Sequence, residues 1–182
     1  MGEHADAIGL NATAASLLGF LHGGEYSGYE LVGVAELVIG DFWSLTRSQV
    51  YRELAGLADR GLIAAGVTGP RARQPYRLTP AGRSAFKRWV SQPPGPEQIR
   101  YPLLLTIAFG AFVGRERLLE FVAGHRGGHE ARLAAYSDLQ ADSAAGDPYA
   151  RATLAFGVHY ERAVLAWMDE LPALLDGVQR RD

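Results

Sequence analysis

Cysteine is absent from this 182-residue chain, which excludes disulfide bonds, thiol catalysis and cysteine-based zinc sites. The sequence also lacks an uninterrupted apolar run of about 18 residues, so it predicts no membrane span. Acidic Glu3 and Asp6 stand where a secretory signal carries bases, which predicts no export. The 48% hydrophobic and 21% charged residues are typical of a soluble globular protein. Together these features favour a cytoplasmic protein.

Motifs of catalysis and cofactor binding are missing as well. The chain has no Gly-x-Ser-x-Gly elbow, no phosphate-binding Walker loop and no dinucleotide glycine pattern. His125 and His129 are four residues apart, but no glutamate directly follows the first histidine, and Gly127 and Gly128 weaken a helix between them. We therefore predict no enzyme activity, no metal site and no cofactor.

The formal net charge of -2 conceals an uneven distribution along the chain. Residues 42–92 hold nine bases and two acids, a net charge of +7. The first 41 residues hold six acids and no Lys or Arg, and the residues from 93 onward hold nine bases and twelve acids. A local basic block of this kind is what a nucleic-acid contact requires. A solvated charged face is the alternative interpretation.

Two apolar helices are predicted in the N-terminal part, after a loose tail at 1–12. The first covers 13–21, with Thr13 as its N-cap. The second covers 29–39 and is broken by Gly40.

A third, more polar helix is predicted to begin at Arg47. Thr46 and Gln49 have the spacing of a capping box, and Gly61 is suited to end the helix. The apolar side chains fall on one face, which leaves Arg47 on an exposed polar turn. This apolar face consists of Val50, Leu54 and Leu57.

A β-hairpin follows, with strands at 62–67 and 76–78 joined by a loop at 68–75. Thr79 then caps a helix that has Pro80 at its first position. This order of elements is that of a winged helix-turn-helix, whose polar helix enters the DNA major groove. The hairpin loop, or wing, then meets the flanking backbone.

Three prolines and a glycine within 91–96 mark a domain boundary. We predict a winged helix-turn-helix at 13–92, a linker at 93–99 and a helical domain at 100–182. The fold class is therefore mostly α with a small β-hairpin wing.

The helical domain is predicted to contain three helices. They cover 101–113, 115–141 and 148–178, and the second is expected to be interrupted or bent near Gly124 and Gly127.

These residues resemble the PadR family of winged-helix regulators, in particular the longer subgroup with a helical C-terminal domain like that of the virulence activators. Many relatives carry Gly-Thr-Leu-Tyr at the recognition helix, where this chain has the virulence-activator-like Ser48-Gln49-Val50-Tyr51. The resemblance spans roughly residues 14 to 171. The matching stretches are Leu17-Leu18-Gly19-Phe20-Leu21, Ser27-Gly28-Tyr29-Glu30-Leu31, Phe42-Trp43, Gln49-Val50-Tyr51-Arg52-Glu53-Leu54, Leu57-Ala58-Asp59-Arg60-Gly61-Leu62-Ile63, Tyr76-Arg77-Leu78-Thr79-Pro80-Ala81-Gly82-Arg83, Pro102-Leu103-Leu104-Leu105, Tyr160-Glu161-Arg162-Ala163 and Trp167.

The resemblance implies a homodimer that binds a pseudo-palindromic operator in double-stranded DNA, most often as a repressor. It also implies that the C-terminal helices mediate dimerisation. Relatives respond to small aromatic or drug-like compounds, so a ligand of that class is an expected partner.

The DNA-binding candidates on the polar helix include three residues with a second interpretation. Gln49 can pair with adenine or serve the capping box. Tyr51 can reach a phosphate or pack in the core, and Arg52 can contact DNA or pair with a neighbouring acid. The full set of candidates on this helix is Arg47, Ser48, Gln49, Tyr51 and Arg52.

The wing supplies three further candidates, Arg71, Arg73 and Arg77, since arginine suits phosphate and a narrow minor groove. Trp167 and Phe109 are the candidates for an effector pocket, with plain packing between helices as the alternative.

Two functions are compatible with this pattern. One is a sequence-specific DNA-binding regulator, and the other is a protein-interaction module that keeps the winged helix without binding DNA. No acid occurs between Arg60 and Lys87, which favours the regulator.

Overall fold

The chain folds into two compact units that divide after Glu97. Among the described residues, no helix is long and apolar enough to cross a membrane. The computed structural model describes residues 9–70, 73–97, 99–142 and 146–177.

The N-terminal unit is a bundle of helices with a small three-stranded sheet. Its core is formed by leucines and valines of the first three helices together with residues of the sheet and the last helix. In chain order the elements are α1 (Ala12–Phe20), β1 (Tyr26–Ser27), α2 (Gly28–Ile39), a 3-10 turn (Gly40–Phe42), α3 (Arg47–Asp59), β2 (Ile63–Ala65), β3 (Pro75–Leu78) and α4 (Pro80–Val90).

The start of α1 differs from the prediction, which placed the N-cap at Thr13. The N-cap is Asn11, whose side-chain oxygen accepts a hydrogen bond from the backbone N–H of Ala14 at 2.8 Å. Asparagine is as good an N-cap as threonine or better, and it precedes Thr13 by two residues, so the helix begins earlier.

The prediction for α3 is confirmed at both ends. Thr46 caps the helix in a capping box with Gln49, and Gly61 has a φ of 66° directly after the C-cap. The N–H groups of Gly61 and Leu62 bond back to the carbonyls of Ala58 and Leu57, which closes a Schellman motif. Leu62 therefore belongs to the helix end, and β2 starts at Ile63 instead of the predicted residue 62.

The sheet has the order β1-β3-β2, and both pairings are antiparallel. Tyr26 of β1 pairs with Tyr76 of β3, and Ile63 of β2 pairs with Leu78 of β3. The sequence predicts only the β2–β3 hairpin, because the two residues of β1 are too few to show an alternating pattern. β1 matters for the site since it leads directly into α2.

The C-terminal unit is helical, and its two long helices pack against each other. Its apolar core includes Leu103, Val122, Met168 and Leu171. The elements are α5 (Pro102–Ala108), a 3-10 turn (Gly110–Phe112), α6 (Arg115–Asp142) and α7 (Pro148–Leu174).

Two predictions for this unit are wrong. The helix predicted over 101–113 ends at Ala108, and a 3-10 turn follows in which a Cβ at Gly110 would lie 2.5 Å from Leu118. Gly110 lets the turn pack closely on the Leu118 side chain, and glycine also has a low helix propensity. The break predicted near Gly124 and Gly127 does not occur, because α6 is continuous and packs along α7. Glycine lowers helix propensity by about 1 kcal/mol but keeps its backbone hydrogen bonds, so tertiary packing prevails.

Candidate nucleic-acid interface

α3 has one buried face and one polar face. Val50, Leu54 and Leu57 are buried in the core of the N-terminal unit, and they fix the helix by apolar packing. The exposed residues recur at the i, i+1, i+4 and i+5 positions, so they share a second, polar face. These exposed residues are Arg47, Ser48, Tyr51 and Arg52.

Gln49 serves the capping box. Its backbone N–H donates to Thr46 Oγ1 at 3.3 Å, and its Oε1 accepts from the Thr46 backbone N–H at 3.0 Å. Bidentate pairing with adenine needs Oε1 as an acceptor from the base. In this arrangement Gln49 offers DNA the Nε2 donor, while its oxygen maintains the start of the recognition helix.

Arg52 has an acidic neighbour, as its second interpretation requires. Its Nη2 lies 3.5 Å from Oε1 of Glu53. The Arg52 side chain is 71% exposed, and a long, exposed pair of this kind contributes little to stability. The guanidinium therefore remains accessible for a contact with DNA.

Tyr51 is partly packed and partly exposed, so it has features of both of its interpretations. Its ring covers Gly28, where an added Cβ would lie 2.7 Å from Tyr51 Cε1, yet half of the residue is exposed. Because Gly28 has no side chain, the Tyr51 ring can pack against the start of α2 while half of the residue stays exposed.

Arg47, the first residue of α3, contacts the preceding helix. Its guanidinium carbon lies 4.9 Å from the centroid of the Tyr29 ring, which is a cation–π distance. Tyr29 is the second residue of α2 and is itself exposed. The sequence analysis did not identify Tyr29 as a site residue.

The described part of the wing is held by a compact set of hydrogen bonds. The Gly69 N–H donates to the Arg73 carbonyl at 2.8 Å, and the Arg73 N–H donates to the Pro70 carbonyl at 3.2 Å. Gln74 Nε2 donates to the Gly66 carbonyl at 2.6 Å. These bonds of the backbone and of the Gln74 side chain hold the described residues of the loop on both sides of residues 71 and 72.

Arg73 forms a two-pronged ion pair with Glu30 of α2. Nε donates to Oε1 at 3.1 Å, and Nη2 donates to Oε2 at 2.9 Å. The hydrogen bond from Arg73, supported by those from Ser27, lowers the pKa of Glu30 to about 2. Arg77 of β3 is exposed on the solvent side of the sheet, whereas Arg71 lies outside the described residues.

The two effector-pocket candidates have different surroundings. Trp167 is half-buried and packs against the core of the C-terminal unit, with its ring centroid 6.1 Å from that of Tyr101. Phe109 is 59% exposed at the end of α5. Trp167 thus packs against the core with part of its ring accessible, while Phe109 offers an apolar surface to solvent.

A buried polar cluster in the C-terminal unit was not predicted. His129 Nδ1 lies 2.5 Å from Glu161 Oε2, and Arg132 Nε donates to Glu161 Oε1 at 2.8 Å. Arg132 Nη2 also lies 2.8 Å from His129 Nδ1, and the Tyr101 hydroxyl lies 3.1 Å from His129 Nε2. Burial raises the pKa of Tyr101.

A weak sequence signal for this cluster exists. In the last helix the apolar residues Val158 and Leu165 are seven positions apart, and Glu161 lies between them at helical spacing. A carboxylate at a core position requires a buried partner. The partner itself, His129, could not be chosen without the register of α6 on α7.

Comparisons with known proteins agree with this architecture. Residues 17–88 match the model of the transcriptional regulator PadR-like family, and residues 99–176 match that of the virulence activator alpha C-terminal domain. The negative transcriptional regulator PadR of Bacillus subtilis is 28% identical over 178 residues, which cover 88% of this chain and 96% of that protein.

Solved structures of that same relative share the fold. Bacillus subtilis PadR in complex with operator DNA has a TM-score of 0.75 at 23% identity, and the match covers 91% of this chain and 98% of that one. Bacillus subtilis PadR in complex with p-coumaric acid has a TM-score of 0.70 at 24% identity, with 91% and 99% covered. The chain belongs to the PadR-like family of transcriptional regulators, and its C-terminal unit is of the virulence-activator type.

Proposed function

We propose that this chain is a sequence-specific DNA-binding repressor that acts as a homodimer. The observation that carries the proposal is the two-faced α3, which is anchored by a buried apolar face and presents two arginines on the opposite face. The similarity to a negative regulator that has been solved with operator DNA supports the same reading. A repressor of this kind acts where the DNA is, in the cytoplasm.

On α3, Arg47 and Arg52 are the proposed readers of base edges or phosphates. Arginine recognises guanine O6 and N7 by a bidentate contact. Ser48 and the Nε2 group of Gln49 supply shorter polar contacts, and Tyr51, which is half exposed, is a further candidate on this helix.

On the wing, Arg71, Arg73 and Arg77 are proposed to contact the backbone beside the groove. Phosphate contacts of this kind set the position of a protein on the duplex and make its affinity depend on salt. They add affinity for any sequence, whereas α3 supplies the preference for one.

Dimerisation is assigned to the helical domain at 100–182, and DNA binding to the winged helix at 13–92. The end of α5 and the turn after it expose several large apolar residues, namely Leu104, Leu105, Phe109 and Phe112. An exposed apolar patch of this kind marks an interaction surface. A two-fold dimer would place two copies of α3 on a pseudo-palindromic operator.

A small aromatic compound is the proposed effector, as the structure of the Bacillus subtilis relative with p-coumaric acid suggests. Trp167 and Phe109 are the aromatic residues of the helical domain proposed to contribute to such a site. Quenching of tryptophan fluorescence by p-coumaric acid, compared between the wild type and W167F, would test this part.

Fluorescence anisotropy provides the test of DNA binding. Duplex DNA from directly upstream of the gene is titrated with the protein, beside a scrambled duplex, at several salt concentrations. Salt-sensitive binding that prefers the upstream duplex supports the proposal. If the upstream duplex is not preferred, duplexes selected from random DNA replace it, and the absence of binding to any duplex would favour an interaction module without DNA binding.

A further inference from the structure

Two neighbouring residues in the first turn of α2 each contact one arginine of the DNA-facing surface. Tyr29 lies under Arg47 of the recognition helix at 4.9 Å, and Glu30 holds Arg73 of the wing through two hydrogen bonds. α3 and the wing are separate parts of the surface. The first turn of α2 therefore contacts one arginine of α3 and one arginine of the wing.

The contact with Tyr29 orders Arg47 without cancelling its charge. A ring face attracts a guanidinium through its quadrupole, so the cation keeps its hydrogen-bond donors for DNA. A free arginine side chain loses rotamer freedom when it is fixed, which opposes binding. The contact with Tyr29 fixes Arg47 in part before DNA binds, so less of this freedom is lost on binding. It thereby favours the one conformation of Arg47 that fits a given base step.

The contact with Glu30 has the opposite electrostatic effect, because it neutralises Arg73. The carboxylate cannot easily move away, since Ser27 donates to Oε2 from its backbone N–H at 2.7 Å and from its hydroxyl at 2.8 Å. The cap of α2 thus fixes Glu30, and Arg73 of the wing pairs with a carboxylate that is already in place. The wing then attracts arbitrary DNA less strongly than its sequence suggests.

We propose that the first turn of α2 is a specificity-determining element, in which Tyr29 orders the base-reading Arg47 and Glu30 suppresses non-specific attraction by Arg73. This inference rests on the proposed DNA binding. Tyr29 and Glu30 are positioning residues that act through their arginines. Replacing Tyr29 lowers the affinity for preferred DNA, whereas replacing Glu30 raises the affinity for DNA of any sequence.

The experiment uses two duplexes and one salt series. The preferred duplex is selected by the wild-type protein from a random library, and the other is its scrambled version. The variants are Y29L, Y29F and E30Q, with E36Q as a control that makes the same charge change further along α2. E30Q keeps the cap, because Gln49 forms the same capping box in α3. Thermal melting by circular dichroism checks that every variant is folded.

Replacing Tyr29 with Leu is expected to lower the affinity for the preferred duplex only. Y29L lowers that affinity by about two- to fivefold, the equivalent of one exposed cation–π contact, and leaves the scrambled duplex unchanged. Y29F keeps the ring face and the wild-type preference. Equal losses in Y29F and Y29L would overturn the assignment, since the hydroxyl would then be the acting group.

For Glu30 the expected effect of E30Q is a gain of affinity for both duplexes, because phosphate contacts do not depend on sequence. Freeing one arginine steepens the slope of log affinity against log salt concentration by about 0.9. The ratio of the E30Q affinity to the wild-type affinity therefore falls about threefold as salt rises from about 50 to 200 mM. E36Q gives a much smaller change. A salt slope for E30Q equal to that of the wild type would contradict the inference.

Double-mutant cycles separate positioning from a general effect on the fold. The effect of Y29L disappears in an R47A background, and that of E30Q disappears in an R73A background. If Y29L and E30Q have effects of unchanged size in those backgrounds, the inference is overturned but the proposed DNA binding is not. A wild-type protein from which selection yields no preferred duplex would instead overturn the proposed function, and the inference with it.

Discussion

Glu161 of α7 and His129 of α6 form a buried hydrogen bond, with 2.5 Å between Oε2 and Nδ1. Arg132 satisfies the second carboxylate oxygen, and Tyr101 satisfies the second imidazole nitrogen. The two long helices of the C-terminal unit are thus joined in their buried part by polar contacts as well as by apolar packing.

Replacing Glu161 with Ala is expected to destabilise the protein by about 3 to 5 kcal/mol, because it leaves His129 and part of Arg132 without their buried partner. Urea denaturation at a fixed protein concentration measures the free energy of unfolding. E170A is the matched control, since Glu170 is exposed on the same helix, and its effect is expected to stay within about 0.5 kcal/mol. Equal stability of the two variants would contradict a structural role for the cluster.

The pair between Glu30 and Arg73 predicts a dependence of stability on pH. The pKa of Glu30 is lowered from its ordinary 4.5 to about 2 in the folded chain, so the unfolded state binds a proton more readily. The stabilisation is therefore complete above about pH 4.5 and is lost as the pH falls towards 2.

Melting temperatures of the wild type and E30Q from pH 7 down to 2 test this dependence. The wild type should lose stability relative to E30Q below pH 4.5. Glu30 is well exposed, so the difference is expected to be small and to shrink further with added salt. A constant difference between the two proteins across the whole range would show that the pair does not form.

Gly82 is expected to tolerate no side chain. A Cβ at this position in α4 would lie 2.0 Å from the carbonyl oxygen of Leu62, and a backbone atom cannot move aside as a flexible side chain can. The same carbonyl accepts from Thr79, which caps α4, so a shift of the helix would also break the cap. G82A should cost several kcal/mol and yield little folded protein.

G33A is the control for that substitution. Gly33 lies within α2, and a Cβ there would meet no atom within 4 Å. Alanine is favoured over glycine in a helix, so G33A should raise stability by about 0.4 to 1 kcal/mol. Similar melting temperatures for G82A and the wild type would refute the close packing of α4 on the sheet.

Local sequence patterns were enough to predict α3. A capping box at Thr46, a helical apolar face and a glycine at position 61 all lie within about 16 residues of one another, so no distant contact is needed to recognise them. The same holds for the hairpin and for Thr79 with Pro80 at the start of α4. The DNA-binding candidates followed from these elements.

Contacts between distant residues were beyond such patterns. Glu30 and Arg73 are 43 residues apart, and His129 and Glu161 are 32 apart, so each pair depends on how elements pack. Strand β1 was missed for the same reason, because its two residues become a strand only by pairing with β3. The continuity of α6 through Gly124 and Gly127 likewise reflects packing that overrides a weak local propensity.

The central claim is that the polar face of α3 reads DNA. The most direct test compares R47A/R52A with K87A/R88A, a control that removes two exposed bases of the same basic block from α4. Binding of each protein to the duplex selected by the wild type, and to its scrambled version, is measured by fluorescence anisotropy at several salt concentrations. We expect R47A/R52A to lose the preference for the selected duplex and K87A/R88A to retain it. Wild-type affinity and preference in R47A/R52A would contradict the account.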